Sequence, residues 1–76
     1  MICLEGQWCN KMGEPVGNRT HVYMDPRRIT LLTPGKGVKE TTFVYMDHLP
    51  VVGAGCFMAE ADIKVVASEI EDAIRK

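Results

Sequence analysis

Three cysteines and two histidines carry most of the reactive chemistry in this chain: Cys3, Cys9, Cys56, His21 and His48. They offer enough donors for one zinc ion. Structural zinc sites, however, draw on close cysteine pairs such as C-x2-C, because a tight loop sets two thiolates at tetrahedral spacing. No such pair exists here, and Cys3 and Cys9 lie too far apart to replace one. The spacing therefore predicts no metal. A Cys–His nucleophile pair needs a base or a cationic neighbour to form the thiolate. Nothing flanks Cys9 or Cys56 with that context, and a chain of 76 residues leaves little core from which to carve a cleft. The expectation is a protein without catalytic residues or cofactor, whose cysteines pack as small apolar side chains.

Two glycine patterns invite a phosphate reading. Val51-Val52-Gly53-Ala54-Gly55 has the first two glycines of a dinucleotide fingerprint, but the third position is Met58 and no βαβ unit fits in the remaining chain. A bulge or a close backbone approach is expected there. Gly35-Lys36-Gly37 lacks the Walker spacing and the Ser or Thr after Lys, and reads as a hairpin turn. The basic residues are more suggestive. Arg27-Arg28 follows a proline turn, with Arg19 and Lys36 as possible companions, and such a group can hold a phosphate or an acidic protein surface. An ordinary solvated loop is the competing reading. Trp8, Tyr23 and Tyr45 offer stacking surfaces, although two of them alternate with core-like residues. The candidate binding residues are thus Arg27, Arg28, Arg19, Lys36 and Trp8.

Elements must position these groups. The clearest is the helix expected over 59–76. Ile63, Val66, Ile70 and Ile74, with Ala67 and Ala73, repeat at three and four and form one apolar stripe. Asp62 can cap its first turn, and Arg75 and Lys76 suit its negative end. Val65 lies roughly opposite the stripe, as a subunit contact or as a lone exposed valine. A short helix is marginal alone and needs an apolar surface to pack on. Residues 1–58 read as strands and turns that supply one. Ile2 and Leu4 begin a short strand that Gly6 turns back toward Trp8, and residues 13–18 form a loop. Thr20–Met24 is extended, Asp25-Pro26 breaks it, and Ile29–Thr33 follows with Ile29 and Leu31 on one face. Thr33-Pro34-Gly35-Lys36 fits a type II turn. Thr41–Met46 puts Phe43 and Tyr45 on one face and Thr42, Val44 and Met46 on the other. It carries no edge-protecting residue and is expected to pair with a second copy. Val51–Met58 completes the strands. Connections this short exclude parallel crossovers. The fold expected is α+β: a small antiparallel β-sheet of four to five strands with one C-terminal amphipathic helix packed on it, in a single domain over 1–76.

Charge and composition narrow the function classes. Net charge is −1, which gives no global attraction to nucleic acid. The charge is nonetheless uneven: residues 19–39 are basic, whereas the helix segment holds five acids against three bases. No secretory signal or membrane-length apolar run is read, and with an odd cysteine count the expected setting is cytoplasmic and reducing. A core this small sits near the limit of independent stability, which favours a homodimer with Val65, Phe43 and Tyr45 at the contact.

Val22-Tyr23-Met24-Asp25-Pro26-Arg27-Arg28-Ile29, then Thr42-Phe43-Val44-Tyr45-Met46-Asp47, then Glu60 and an amphipathic helix, resemble the order of elements in the small flagellar FlbD-type proteins. The likeness spans roughly residues 20–75 and departs at Val52-Gly53-Ala54-Gly55 and in the N-terminal region. It implies a small regulatory or interaction domain and brings no catalytic residues with it. Three functions remain in view. The first is a regulator or inhibitor acting by protein–protein interaction, of the kind phages and mobile elements encode. The second is an oligomer that binds a nucleotide or other anion through Arg27 and Arg28. The third is a nucleic-acid-binding regulator that uses the basic region.

Overall fold

The computed structural model describes residues 1–35, 40–47, 49 and 53–75. Five antiparallel strands and one helix make up the fold: β1 Ile2–Cys9, β2 Pro15–Met24, β3 Ile29–Pro34, β4 Thr42–Met46, β5 Cys56–Ala59 and α1 Ile63–Arg75. A single 3₁₀ turn, Pro26–Arg28, joins β2 to β3. The order across the sheet is β2-β1-β5-β4-β3, so the two outer strands are consecutive in the chain. A flat sheet would set them four spacings apart, about 19 Å. The five steps from Met24 to Ile29 span about 17 Å at most when fully extended, and a helical turn shortens them further. The sheet therefore curls strongly.

Two irregularities supply the curvature. Between the pairs Gly6↔Thr20 and Trp8↔Val16, β1 advances two residues while β2 advances four. Gly17 takes φ +77° there, a conformation that side chains rarely adopt. Between Ile29↔Met46 and Leu31↔Tyr45, β3 holds one extra residue, Thr30, whose hydroxyl donates to the Tyr45 carbonyl at 3.2 Å. Bulges of this kind bend the strand and tighten its twist. The second one also overturns the alternation expected for Ile29–Thr33. Ile29 and Leu32 pack against the core, while Leu31 is exposed.

The concave face holds the core. One row runs Trp8–Phe57–Val44 across β1, β5 and β4, and the next runs Gly6–Ala59–Thr42. Trp8 meets Phe57 edge to face, with centroids 5.0 Å apart, a geometry that adds about 0.5–1.5 kcal/mol to the burial itself. Gly6 is no turn, contrary to the sequence reading. It lies mid-strand in β1, where a Cβ would overlap the Met58 carbonyl, so only glycine lets β1 and β5 approach. Residues 15–18 likewise belong to β2 rather than to a loop. Gly35 donates to the Thr41 carbonyl at 2.8 Å and so prolongs the β3–β4 ladder. The proposed turn at Lys36 lies outside the described residues, as do Val51 and Val52 of the expected fourth strand.

The helix begins at Ile63, four residues later than its amphipathic pattern suggested. Cys56–Ala59 pairs with both β1 and β4, and those ladders outweigh local helix preference. The Asp62 carbonyl accepts from Val65 and Val66 and opens the first turn. Val66 is the fully buried residue of the apolar stripe, whereas Ile70 is half-buried. Thr42 is buried in β4, and its hydroxyl donates to the Ala61 carbonyl at 2.8 Å, tying the sheet to the approach of the helix. β4 sits inside the sheet, so the expectation that Thr41–Met46 is an open edge is corrected; the edges are β2 and β3.

Val66→Asp places a lone carboxylate in this core and should unfold the domain, since the penalty of several kcal/mol rivals a total stability of about 5 kcal/mol. A cooperative, native-like melting curve for that variant would contradict the packing described. Thr42→Val keeps the shape but leaves the Ala61 carbonyl unpaired. Chemical denaturation should show a loss of about 1–3 kcal/mol with unchanged m-value.

Candidate functional site

Where β2 turns away from the rest of the sheet, the concave face opens into a cavity of about 300 Å³ lined by Met1, Trp8, Val22, Tyr23, Met24, Asp25, Arg28 and Met46. Local sequence explains its walls. Val22 and Met24 point inward by register, opposite Leu4 and Ile2. Met46 shares the inward face of β4 with Val44 and pairs with Ile29. Pro26 is buried at the first helical position, and the Asp25 carboxylate accepts the Arg27 N–H at 2.9 Å. The Arg28 N–H donates to the Asp25 carbonyl at 3.1 Å, and the Arg28 carbonyl accepts from Asp47 N–H at 3.1 Å. The backbone carrying both arginines is thus held at each end while their side chains stay exposed. Among the described residues neither arginine has an ion-pair partner. The result is an apolar slot with cationic groups at its rim. An apolar side chain fits the slot, and a carboxylate or phosphate fits the guanidinium of Arg28.

The predicted binding residues separate into distinct places. Arg28 and Trp8 both line the slot, and Arg27 lies beside it. Trp8 is only 8% exposed and engaged with Phe57, so it floors the site rather than offering a free stacking face. Tyr23, at 73% exposure, is the aromatic group that stands open at the rim. Arg19 is elsewhere. It bridges Glu5 at 2.9 Å and also pairs with Glu60, clasping β2, β1 and the segment before the helix, while His21 stands 3.7 Å from the other Glu5 oxygen. Lys36 lies outside the described residues. Met24, Met46 and Asp25 were missed as site residues. Alternation places the two methionines inward, but their meeting across the sheet depends on a strand order that the sequence does not carry.

The residues expected at a subunit contact do not form one patch. Phe43 and Tyr45 line a groove on the convex face with Met12, Pro15, Pro34 and Met58. Val65 is half exposed on the helix and is absent from that groove.

Two of the three cysteines meet. Cys9 and Cys56 are directly opposed on β1 and β5, both buried, on the convex face. Backbone closes over them: the Gly55 N–H donates to the Cys9 carbonyl at 2.6 Å, and a Cβ at Gly55 would press on the backbone of Lys11. Burial, and then the adjacent Cys56 thiol, push the Cys9 pKa up to about 11, and burial also raises that of Cys56. Both are held as thiols, the opposite of an activated nucleophile. Cys3 is exposed, which corrects the expectation that all three cysteines pack inside. Among the described residues no three His, Cys, Asp or Glu side chains cluster as a metal site, and no helix is long and apolar enough to cross a membrane.

Comparison with protein-family models, with curated proteins and with solved structures finds no match to this chain.

The thiols give a direct test of this arrangement. In native protein at pH 8, Ellman's reagent should modify Cys3 quickly and leave Cys9 and Cys56 until the chain is denatured. The pH dependence has a definite sign. The folded state holds the Cys9 proton more tightly than the unfolded state, whose thiol has a value near 9.0, so stability from this source is complete below pH 9 and declines between pH 9 and 11. Cys9→Ala should flatten that decline in alkaline melting curves; an unchanged slope would count against the buried pair.

Proposed function

We propose that this protein is a small non-enzymatic docking module that regulates a partner protein by binding a short segment of it in the slot between β2 and the Pro26–Arg28 turn. The observation that carries the reading is the juxtaposition of a methionine- and tryptophan-lined slot with an exposed tyrosine and two arginines that have no ion-pair partner among the described residues. Methionine adapts its shape to incoming apolar groups, and tyrosine and arginine are the residues most often decisive at protein interfaces. The complementary segment presents one apolar side chain beside an acidic residue. Nucleotide binding through Arg27 and Arg28 is less well supported, because Trp8 has little face to offer a base, and Arg19, the further basic residue considered, is engaged by carboxylates. Nucleic-acid binding shares that weakness.

The test is a photocrosslinker at position 23, introduced into protein expressed in its native host. The crosslinks should map to an acidic, apolar segment of one partner, and Arg28→Glu should reduce capture at least tenfold. Glu71→Ala on the exposed side of the helix should not, and both variants should melt within about 2 °C of the parent. Equal capture by Arg28→Glu would remove the slot from the mechanism. A thermal shift with nucleotides and none with acidic peptides would favour the ligand-binding alternative.

A further inference from the structure

Resting on the reading of the slot as a docking site, we infer that its occupant is an extended segment with alternating apolar and acidic residues, which adds as a strand to the free edge of β2 at Thr20–Met24. Three observations point to this partner. The first is the edge itself. β2 ends the sheet, and among the described residues no strand pairs with its outer side. Its backbone N–H and C=O groups there form a template for pairing. The other edge, β3, is ill suited. It is broken by the Thr30 bulge, ends in Pro34 and lies under the helix. β2 has its own bulge at 17–19, but Thr20–Met24 beyond it is regular and free of proline.

The second observation is incomplete burial. Val16 and Val22 face inward, opposite Trp8 and Leu4, which are buried. Both valines remain partly exposed, although they pack against the core. A strand laid along Thr20–Met24 runs beside Val22. On β2 the slot is lined by Val22, Tyr23 and Met24, within the stretch along which the added strand lies.

The third is charge. Arg27 and Arg28 stand at the Met24 end of the edge without ion-pair partners among the described residues, two cations against the single carboxylate of Asp25, which accepts the Arg27 N–H. Along a strand, alternate side chains point to opposite faces. An apolar residue turned into the slot thus leaves its acidic neighbours on the rim beside the arginines.

The probe is a panel of eight-residue, end-blocked peptides alternating leucine, methionine or phenylalanine with glutamate. Matched panels carry lysine for glutamate, or backbone N-methyl groups at every second residue. Fluorescence anisotropy should show micromolar binding for members of the glutamate panel. Substitution with lysine, or N-methylation on the side facing β2, should weaken binding at least tenfold. Amide hydrogen exchange should slow at least tenfold for alternate residues of Thr20–Met24 and not for β3. Two results would overturn the inference: no binding by any glutamate peptide, or binding that ignores N-methylation and leaves the β2 amides unprotected. Either outcome leaves the docking reading standing if position 23 still crosslinks a partner in an Arg28-dependent manner; loss of that crosslink removes both.

Discussion

The five-step link from Met24 to Ile29 constrains everything else in this fold. It joins strands at opposite edges of a five-stranded sheet, and its reach is shorter than the width of the sheet laid flat. The sheet must curl, and the bulges at 17–19 and at Thr30 provide the extra twist. Curling creates a concave interior deep enough for Trp8, Phe57 and Val44 to become a core, which a flat sheet with one small helix would not enclose. It also brings the end of β2, the helical turn and the end of β4 to one mouth. The slot is therefore a by-product of closure: it marks where the curl is incomplete.

Closure explains why the two halves of the basic region behave differently. Arg19 lies on β2 where the strand faces Glu5 and the segment leading to the helix, and it is consumed there in holding three elements together. Exposed ion pairs of this kind contribute little each, though a shared cation between two carboxylates does better than an isolated pair. Arg27 and Arg28 sit on the link itself, whose backbone hydrogen bonds are satisfied by Asp25 and Asp47. Among the described residues their guanidinium groups make no ion pair.

Much of the architecture was legible in the residues. The helix stripe, the Asp25-Pro26 break and the alternation of Thr42, Val44 and Met46 against Phe43 and Tyr45 each rest on local periodicity or on proline geometry; the structure keeps the last two, and of the stripe it packs Val66, Ile70 and Ala73 on the core while Ile74 is exposed. What escaped depends on long-range pairing. Gly6 resembles a turn residue in isolation; its need to be glycine comes from β5, some fifty residues away, pressing on β1. The helix start shifted because β4 and β1 both claim Cys56–Ala59. The inward placement of Leu32 rather than Leu31 follows from one extra residue in β3, which no period-two pattern can announce. The site was legible in the same measure. Arg28 and Trp8 were identifiable as residue types, but only strand order reveals that they line one slot and that Arg19 does not.

The chemistry of the core narrows what that slot can do. Two of the chain's three thiols are well protected: Cys9 and Cys56 lie buried under the backbone near Lys11 and Gly55, with their thiols kept protonated, while Cys3 is exposed. The groups at the mouth are different in kind. Methionine, tyrosine and arginine offer surface and charge, with the Asp25 carboxylate beside them. The accessible groups at the mouth are of the kinds that contribute surface and charge at interfaces, and the docking proposal rests on them. The physical question for this fold is then how far the curl closes when a further strand is supplied, because Val22 on the β2 edge is among the apolar side chains that pack against the core without being buried.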